Sequence, residues 1–186
     1  MSDEASKLPC GLIVMGVSGS GKSTIAASLA ERLNWVYEDG DRFHPPSNVA
    51  KMRAGQPLTD EDRWPWLQAI ADEIDRVCES GGHVVIACSA LKRAYRDVLV
   101  HGRDDVCIVY LKGTQLLIAD RLARRKGHFM PPGLLDSQFQ TLEPPAADEN
   151  PITVSIDAPV ETIVEDIVRQ LKPGSADNRA SVRNSP

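Results

Sequence analysis

The chain has 186 residues, 42% hydrophobic and 25% charged, enough for one domain with a sizeable core and ordinary for a globular protein. A formal net charge of −5 without any basic run argues against a nucleic-acid backbone as partner, while leaving room for a local basic pocket that takes a small anion. The N-terminus is acidic and the apolar runs are too short for a signal sequence or a membrane span, so the expected compartment is the cytoplasm.

Residues 1–9 are polar and expected to be a flexible leader; residues 10–172 are expected to form one domain. The apolar run Leu12-Ile13-Val14-Met15 ends at Gly16, as a buried parallel strand would. Gly16-Val17-Ser18-Gly19-Ser20-Gly21-Lys22-Ser23 then fits Gly-x-x-x-x-Gly-Lys-Ser/Thr, the phosphate-binding P-loop. Glycines let the backbone wrap an anion, and its N–H groups form a nest backed by the positive end of the next helix. The expected ATP contacts are Gly16, Ser18, Gly19, Ser20, Gly21, Lys22, Ser23 and Thr24. Lys22 would reach the β- and γ-phosphates, and the Ser23 hydroxyl would ligate Mg²⁺. A chance Gly/Ser-rich turn is the bland alternative. The helix pattern after Lys22, with Ile25, Leu29 and Leu33 on one face, argues against it.

A second strand is expected over 35–38, ending in Asp39-Gly40-Asp41. His44-Pro45-Pro46 must be loop, and Asn48 is expected to cap a short helix stopped by Gly55. Thr59 caps a long helix whose apolar face is Trp64, Leu67, Ile70, Ile74 and Val77. Strands follow over 83–88, 106–111 and 152–156. Ser89 to Lys92 sits at the end of the first of these, before a helix through Tyr95 and Leu99. A helix from Thr114 ends in the cations Arg121, Arg124, Arg125 and Lys126, an irregular link follows, and a short helix covers 134–139. A last helix runs over 159–171, and the polar tail 173–186 is expected to be disordered. The four cysteines, Cys10, Cys78, Cys88 and Cys107, show neither a Cys-x-x-Cys pair nor metal-ligand spacing and read as reduced thiols, mostly core.

Alternating strands and helices predict an α/β fold, a parallel sheet covered on both faces with ligands at the carboxyl ends of its strands. That rule gathers residues 16–23, 39–41 and 88–92 on one rim. No Asn-Lys-x-Asp or Asp-x-x-Gly motif of a GTPase occurs, and no apolar strand ends in the Asp-Glu pair of an ATPase motor. A small-molecule kinase is the favoured reading.

Met15 to Ser23, Asp39-Gly40-Asp41, His44-Pro45, Asn48 with Lys51-Met52 and Pro57-Leu58-Thr59-Asp60 resemble gluconokinases. So do Asp62-Arg63, Pro65-Trp66-Leu67, Cys88-Ser89-Ala90-Leu91-Lys92, Tyr95-Arg96, Tyr110-Leu111, Arg125-Lys126-Gly127-His128-Phe129 and Gln138-Phe139. The resemblance runs from about Leu12 to Leu171. It implies a three-layer P-loop NTPase fold of the nucleoside-monophosphate-kinase and shikimate-kinase kind, with a five-stranded parallel sheet and a mobile lid over about 122–138. It further implies ATP-dependent phosphorylation of D-gluconate at its 6-hydroxyl, with ATP and Mg²⁺ as cofactors, in a homodimer.

Asp39 and Asp41 are either turn formers around a glycine or functional carboxylates. Similarity to related kinases assigns Asp39 to the outer shell of Mg²⁺, through water, and Asp41 to the acceptor hydroxyl. The cations at 121–126 are either a solvated helix end or a lid that neutralises phosphate oxygens. The family motif favours Arg125 as the catalytic cation, with Arg121 near the adenine and Asp157 and Pro159 in the adenine-contacting loop. His128 either touches substrate or pins the loop. Arg53, Arg63 and Arg96 are candidates for the acceptor's carboxylate, against the alternative of surface ion pairs. His44, Ser89 and Lys92 are expected partners for sugar hydroxyls or phosphate. Cys88 reads as core. The rival readings are another small-molecule kinase on the same fold, or a nucleotide-dependent binding module with little turnover.

Overall fold

The computed structural model describes residues 8–124 and 132–171. Within them, β1 (Gly11–Met15), β2 (Val36–Asp39), β3 (Val84–Ala87), β4 (Val106–Lys112) and β5 (Ile152–Ser155) form a sheet in the order β2-β3-β1-β4-β5. All four pairings are parallel; β1 sets Gly11 opposite Val84 of β3 on one side and opposite Val106 of β4 on the other. Helices α1 (Lys22–Leu33), α2 (Pro46–Arg53), α3 (Asp60–Glu79), α4 (Arg93–Val100), α5 (Gln115–Arg124), α6 (Pro132–Thr141) and α7 (Val160–Leu171) fill the connections and the C-terminal side. Short 3-10 turns cover Gly40–Phe43 and Ala147–Glu149.

The central strands β1 and β3, and β4 as far as Leu111, carry no charged residue because successive side chains enter different cores. Leu12 and Val14, Val85 and Ala87, and Val109 and Leu111 pack against Ile25 and Leu29 of α1 and Ile163, Val164 and Ile167 of α7. Ile13 and Met15, Val84 and Ile86, and Ile108 and Tyr110 face Trp66, Leu67, Ile70 and Ile74 of α3 and Tyr95 and Leu99 of α4. These two cores make the three-layer α/β fold and hold the carboxyl ends of β1, β2 and β3 on one rim.

Two expectations need correction. Asn48 does not cap α2: the helix starts at Pro46, whose fixed φ suits the first turn, and Pro45 stands at the cap. Asn48 is instead buried, and its Nδ2 donates to the Asp62 carbonyl at 2.8 Å, which joins α2 to the first turn of α3. Nor are all four cysteines thiols. Cys10 and Cys78 form a disulfide, since the crossover brings the last turn of α3 back beside the entry of β1, with Cα atoms 5.5 Å apart. Cys88 and Cys107 are not disulfide-bonded. The Thr59 cap holds and closes a capping box with Asp62. Arg125, Lys126 and His128, within the expected lid, lie outside the described residues, as do the leader up to residue 7 and the tail from residue 172.

Candidate active site

β1 delivers the chain into the phosphate loop, and two close approaches shape that loop. The Gly16 N–H donates to the Ser89 carbonyl at 3.3 Å, tying the loop to the end of β3. Gly19 has φ +82°, and a Cβ there would lie 2.8 Å from Leu122 of α5, so neither the backbone nor the space admits a larger residue. Gly21 caps α1 without a side chain, leaving the first-turn N–H groups for an anion. Lys22 Nζ lies 3.2 Å from the Val17 carbonyl at the mouth of the loop. Ser20 Oγ is buried and, among the described side chains, is a hydroxyl without a hydrogen-bond partner.

The opposite wall begins where β2 ends. Gly40 is pressed against β3, where an added Cβ would sit 2.7 Å from the Ala87 carbonyl oxygen; Trp66 Nε1 donates to the Gly40 carbonyl at 2.7 Å. This turn projects Asp39 and Asp41 into the cleft. The Asp41 N–H donates to Asp39 Oδ1 at 3.0 Å, and the Asp41 carboxylate is 87% exposed. Beside it, the His44 ring stacks on Trp66 with centroids 4.1 Å apart, and its Nε2 lies 3.9 Å from Asp41 Oδ1. The Asn48 amide, fixed in orientation by the Asp62 carbonyl, also presents Nδ2 to His44 Nδ1 at 3.2 Å. Nδ1 is therefore the acceptor, and neutral His44 carries its proton on Nε2, toward Asp41. Burial lowers the His44 pKa and favours that neutral form.

Between these walls lies a cleft of about 630 Å³ lined by Ser18, Lys22, Ser23, Thr24, Asp39, Asp41, His44, Ser89 and Gln138, among others. An adjoining cavity of about 290 Å³ shares Gly19, Gly21, Thr24 and Leu122 with it and is lined further by Ser20, Arg121 and Pro159. Arg121 donates to the Ile156 carbonyl there, and the Asp157 N–H donates to Ser155 Oγ at 3.2 Å. Cys88 also lines the larger cleft, but burial pushes its thiol up to about 12, so it is no nucleophile. A separate cavity of about 450 Å³ lies beside α4, away from the phosphate loop.

The other expected acceptor residues divide. Arg63 and Lys92 converge on Asp60: Lys92 Nζ donates to both its oxygens at 3.1 and 2.9 Å, and Arg63 Nη1 lies 3.7 Å away. The Tyr95 hydroxyl also donates to Asp60, and this bond, with that of Lys92, holds the Asp60 carboxyl below its ordinary range. Arg63 donates to the carbonyl of Leu58, a cleft residue, at 2.6 Å. Arg53 is exposed at the end of α2, and its neighbour Met52 lines the cleft. Arg96 departs from its expected role. Its side chain is 1% exposed, forms an ion pair with Glu149 at 2.6 Å and donates to the carbonyls of Ala90 and Leu91. It anchors the loop before β5 to the end of β3 instead of facing an acceptor. His44 was assigned from sequence; Gln138, and the Asn48 and Trp66 that hold His44, were not. Gln138-Phe139 and Asn48 did stand in the motifs that carry the resemblance.

An anion nest facing two carboxylates across a cleft suits movement of a phosphoryl group onto a hydroxyl, and on this parallel sheet it defines the class of P-loop kinases. A family model described as "AAA domain" matches residues 12–145. A "Probable gluconokinase" of Mus musculus is 47% identical over 178 residues, covering 87% of this chain and 97% of that protein. The "Gluconokinase" of Gluconobacter oxydans is 47% identical over 161 residues, covering 87% and 90%. The crystal structure of a gluconokinase from Sinorhizobium meliloti superposes with a TM-score of 0.81 at 40% identity, covering 96% of this chain and 99% of that one. The chain belongs to the gluconokinase family.

Proposed function

We propose that this chain transfers the terminal phosphoryl group of ATP to the 6-hydroxyl of D-gluconate, giving 6-phospho-D-gluconate and ADP. The observation that carries this reading is that Lys22 and Asp41 line one cleft, from its phosphate side and its acceptor side. Residues 16–24 cradle the phosphates, and the smaller cavity at Arg121 and Pro159 takes the adenosine end, with Asp157 beside it. Lys22 neutralises the β- and γ-oxygens. Asp41 accepts the hydrogen bond of the attacking hydroxyl and aims it in line; with a loose transition state, alignment matters more than base strength. The His44 Nε2–H orients Asp41 or a neighbouring sugar hydroxyl.

The Ser23 hydroxyl and Asp39 carboxylate are hard oxygen donors on one rim, a set that fits Mg²⁺ with most of its waters retained. The ion supplies charge neutralisation at the phosphates. Arg63, beside Leu58, and Lys92, which shares Asp60 with it, are the preferred cations for the gluconate carboxylate, with Arg53 further out and Ser89 nearer the phosphoryl group. Both preferred cations already meet Asp60, so the acceptor competes with an internal carboxylate. Arg125, with Lys126, supplies the catalytic cation of a closing lid, and His128 lies in the same segment. We further propose a cytoplasmic homodimer. Among the described residues no helix is long and apolar enough to cross a membrane.

The test is ADP release with Mg-ATP against gluconate, other aldonates, shikimate and nucleoside monophosphates. Stimulation by gluconate, with 6-phosphogluconate as product, is expected. Stimulation by another acceptor alone would overturn the assignments at Arg53, Arg63 and Lys92.

A further inference from the structure

Gln138 of α6 makes two hydrogen bonds across 120 residues to one position of the phosphate loop. The Ser18 backbone N–H donates to Gln138 Oε1 at 2.6 Å, and Gln138 Nε2 lies 3.0 Å from Ser18 Oγ. Both residues line the cleft that holds Lys22 and Asp41. The polarity of this pair is determined by chemistry. A backbone N–H can only donate, so the carboxamide oxygen must face it, and the NH₂ group then faces the hydroxyl. An NH₂ group can only donate, so Ser18 Oγ is the acceptor in the second bond. Its own proton is left for another partner.

We infer that Gln138 is a positioning residue that ties α6 to the phosphate loop and turns the Ser18 hydroxyl into a donor aimed at a phosphate oxygen in the cleft. This rests on the reading of ATP as phosphoryl donor. A glutamine is the side chain that does this without adding charge. Glutamate keeps the acceptor for the Ser18 N–H but also accepts the Ser18 proton, withdrawing it from the cleft and placing a negative charge beside the phosphates. Leucine keeps similar bulk and makes neither bond.

The experiment compares Gln138→Leu, Gln138→Glu, Ser18→Ala and the double variant Gln138→Leu/Ser18→Ala. Mg-ATP affinity is measured by calorimetry without acceptor, kcat and KM by ADP release with gluconate, and folding by thermal melting. Each single variant is expected to lose roughly 5- to 30-fold in ATP affinity or kcat, the scale of one or two hydrogen bonds, with melting little changed. Gln138→Glu is expected to be the weakest ATP binder. The double variant should lose less than the sum of its parents' penalties, since both substitutions remove the bond from Gln138 Nε2 to Ser18 Oγ. Gln138→Glu binding Mg-ATP as well as the wild type, or penalties that simply add in the double variant, would overturn the inference. Ser18→Ala, a small change in a loop, keeps the test open should an α6 variant fail to fold. The binding arm also separates the two readings: wild-type protein that binds Mg-ATP yet ignores gluconate loses its acceptor assignment while the Gln138 comparison still decides this one.

Discussion

Gly40→Ala isolates the geometry that holds the acceptor-side carboxylates. The added methyl would lie 2.7 Å from the Ala87 carbonyl oxygen, and ordinary contact begins near 3.4 Å, so the turn must retreat by about 0.7 Å. Little can give way on the other side: the oxygen belongs to the last residue of buried β3, and Ile70 Cδ1 stands 3.3 Å from the same methyl. Retreat also pulls the Gly40 carbonyl from Trp66 Nε1 and carries Asp39 and Asp41 with it. Forcing a methyl into a packed site costs about 1–3 kcal/mol, which for a domain of this size lowers Tm by roughly 2–12 °C. A displacement approaching 1 Å at a positioning group costs on the order of 10²-fold, so kcat is expected to fall roughly 10- to 100-fold. A coupled ADP-release assay at saturating Mg-ATP and gluconate reads this, with melting scans run alongside. Gly133→Ala is the control, because a Cβ there meets nothing within 4 Å. A Gly40→Ala protein with kcat within about twofold of wild type and an unchanged Tm would refute the claim that this contact sets the carboxylates.

Further expectations follow from the same contacts. Lys22→Ala and Asp41→Asn should each abolish turnover while far-ultraviolet circular dichroism stays native; near-normal activity in either would remove that residue from its role. Breaking the buried pair with Arg96→Ala should cost about 3–5 kcal/mol, whereas Arg96→Met combined with Glu149→Leu should recover most of it in denaturant titrations. Burial depresses the His44 pKa below 6.5, so the unfolded state binds the extra proton first. Stability present above pH 6.5 should therefore fall as pH drops through the folded pKa, and His44→Phe, which keeps a ring against Trp66, should lose that share of the slope. The Cys10–Cys78 bridge spans 68 residues, so chain entropy predicts up to about 4 kcal/mol lost on reduction. Thiol titration of the unfolded, unreduced protein checks it, and four reactive thiols instead of two would show the bridge absent.

What the sequence made legible was local. Leu12 to Ser23 carry strand, loop and helix start within one window, and each residue type has a separate physical reason to be there. Thr59 with Asp62 is likewise readable, because a capping box closes over three residues. Asn48 misled because asparagine favours helix caps, while Pro46 two residues earlier had already fixed the start of the helix and the amide found Asp62 instead. Arg96 and Glu149 meet across 53 residues, and Cys10 and Cys78 across 68; no spacing rule links such partners before the sheet order is known. Gln138 belongs with these. It stood in a recognised motif, yet only the approach of α6 to the phosphate loop gives it a task.

The sheet order has a consequence for local opening. The phosphate loop grows from β1, paired on both sides and buried at all five positions, whereas Asp39 and Asp41 stand at the end of β2, a four-residue edge strand with exposed or half-buried side chains. Amide protons of β1 should therefore exchange only through global unfolding, and those of β2 through cheaper fluctuations of the sheet margin. On the proposed reading, the nucleotide half of the reaction would be mounted on the slower-exchanging part of the molecule and the acceptor half on a faster one. An acceptor held by Asp41 would then register as slowed exchange along β2, at a distance from any bond that breaks.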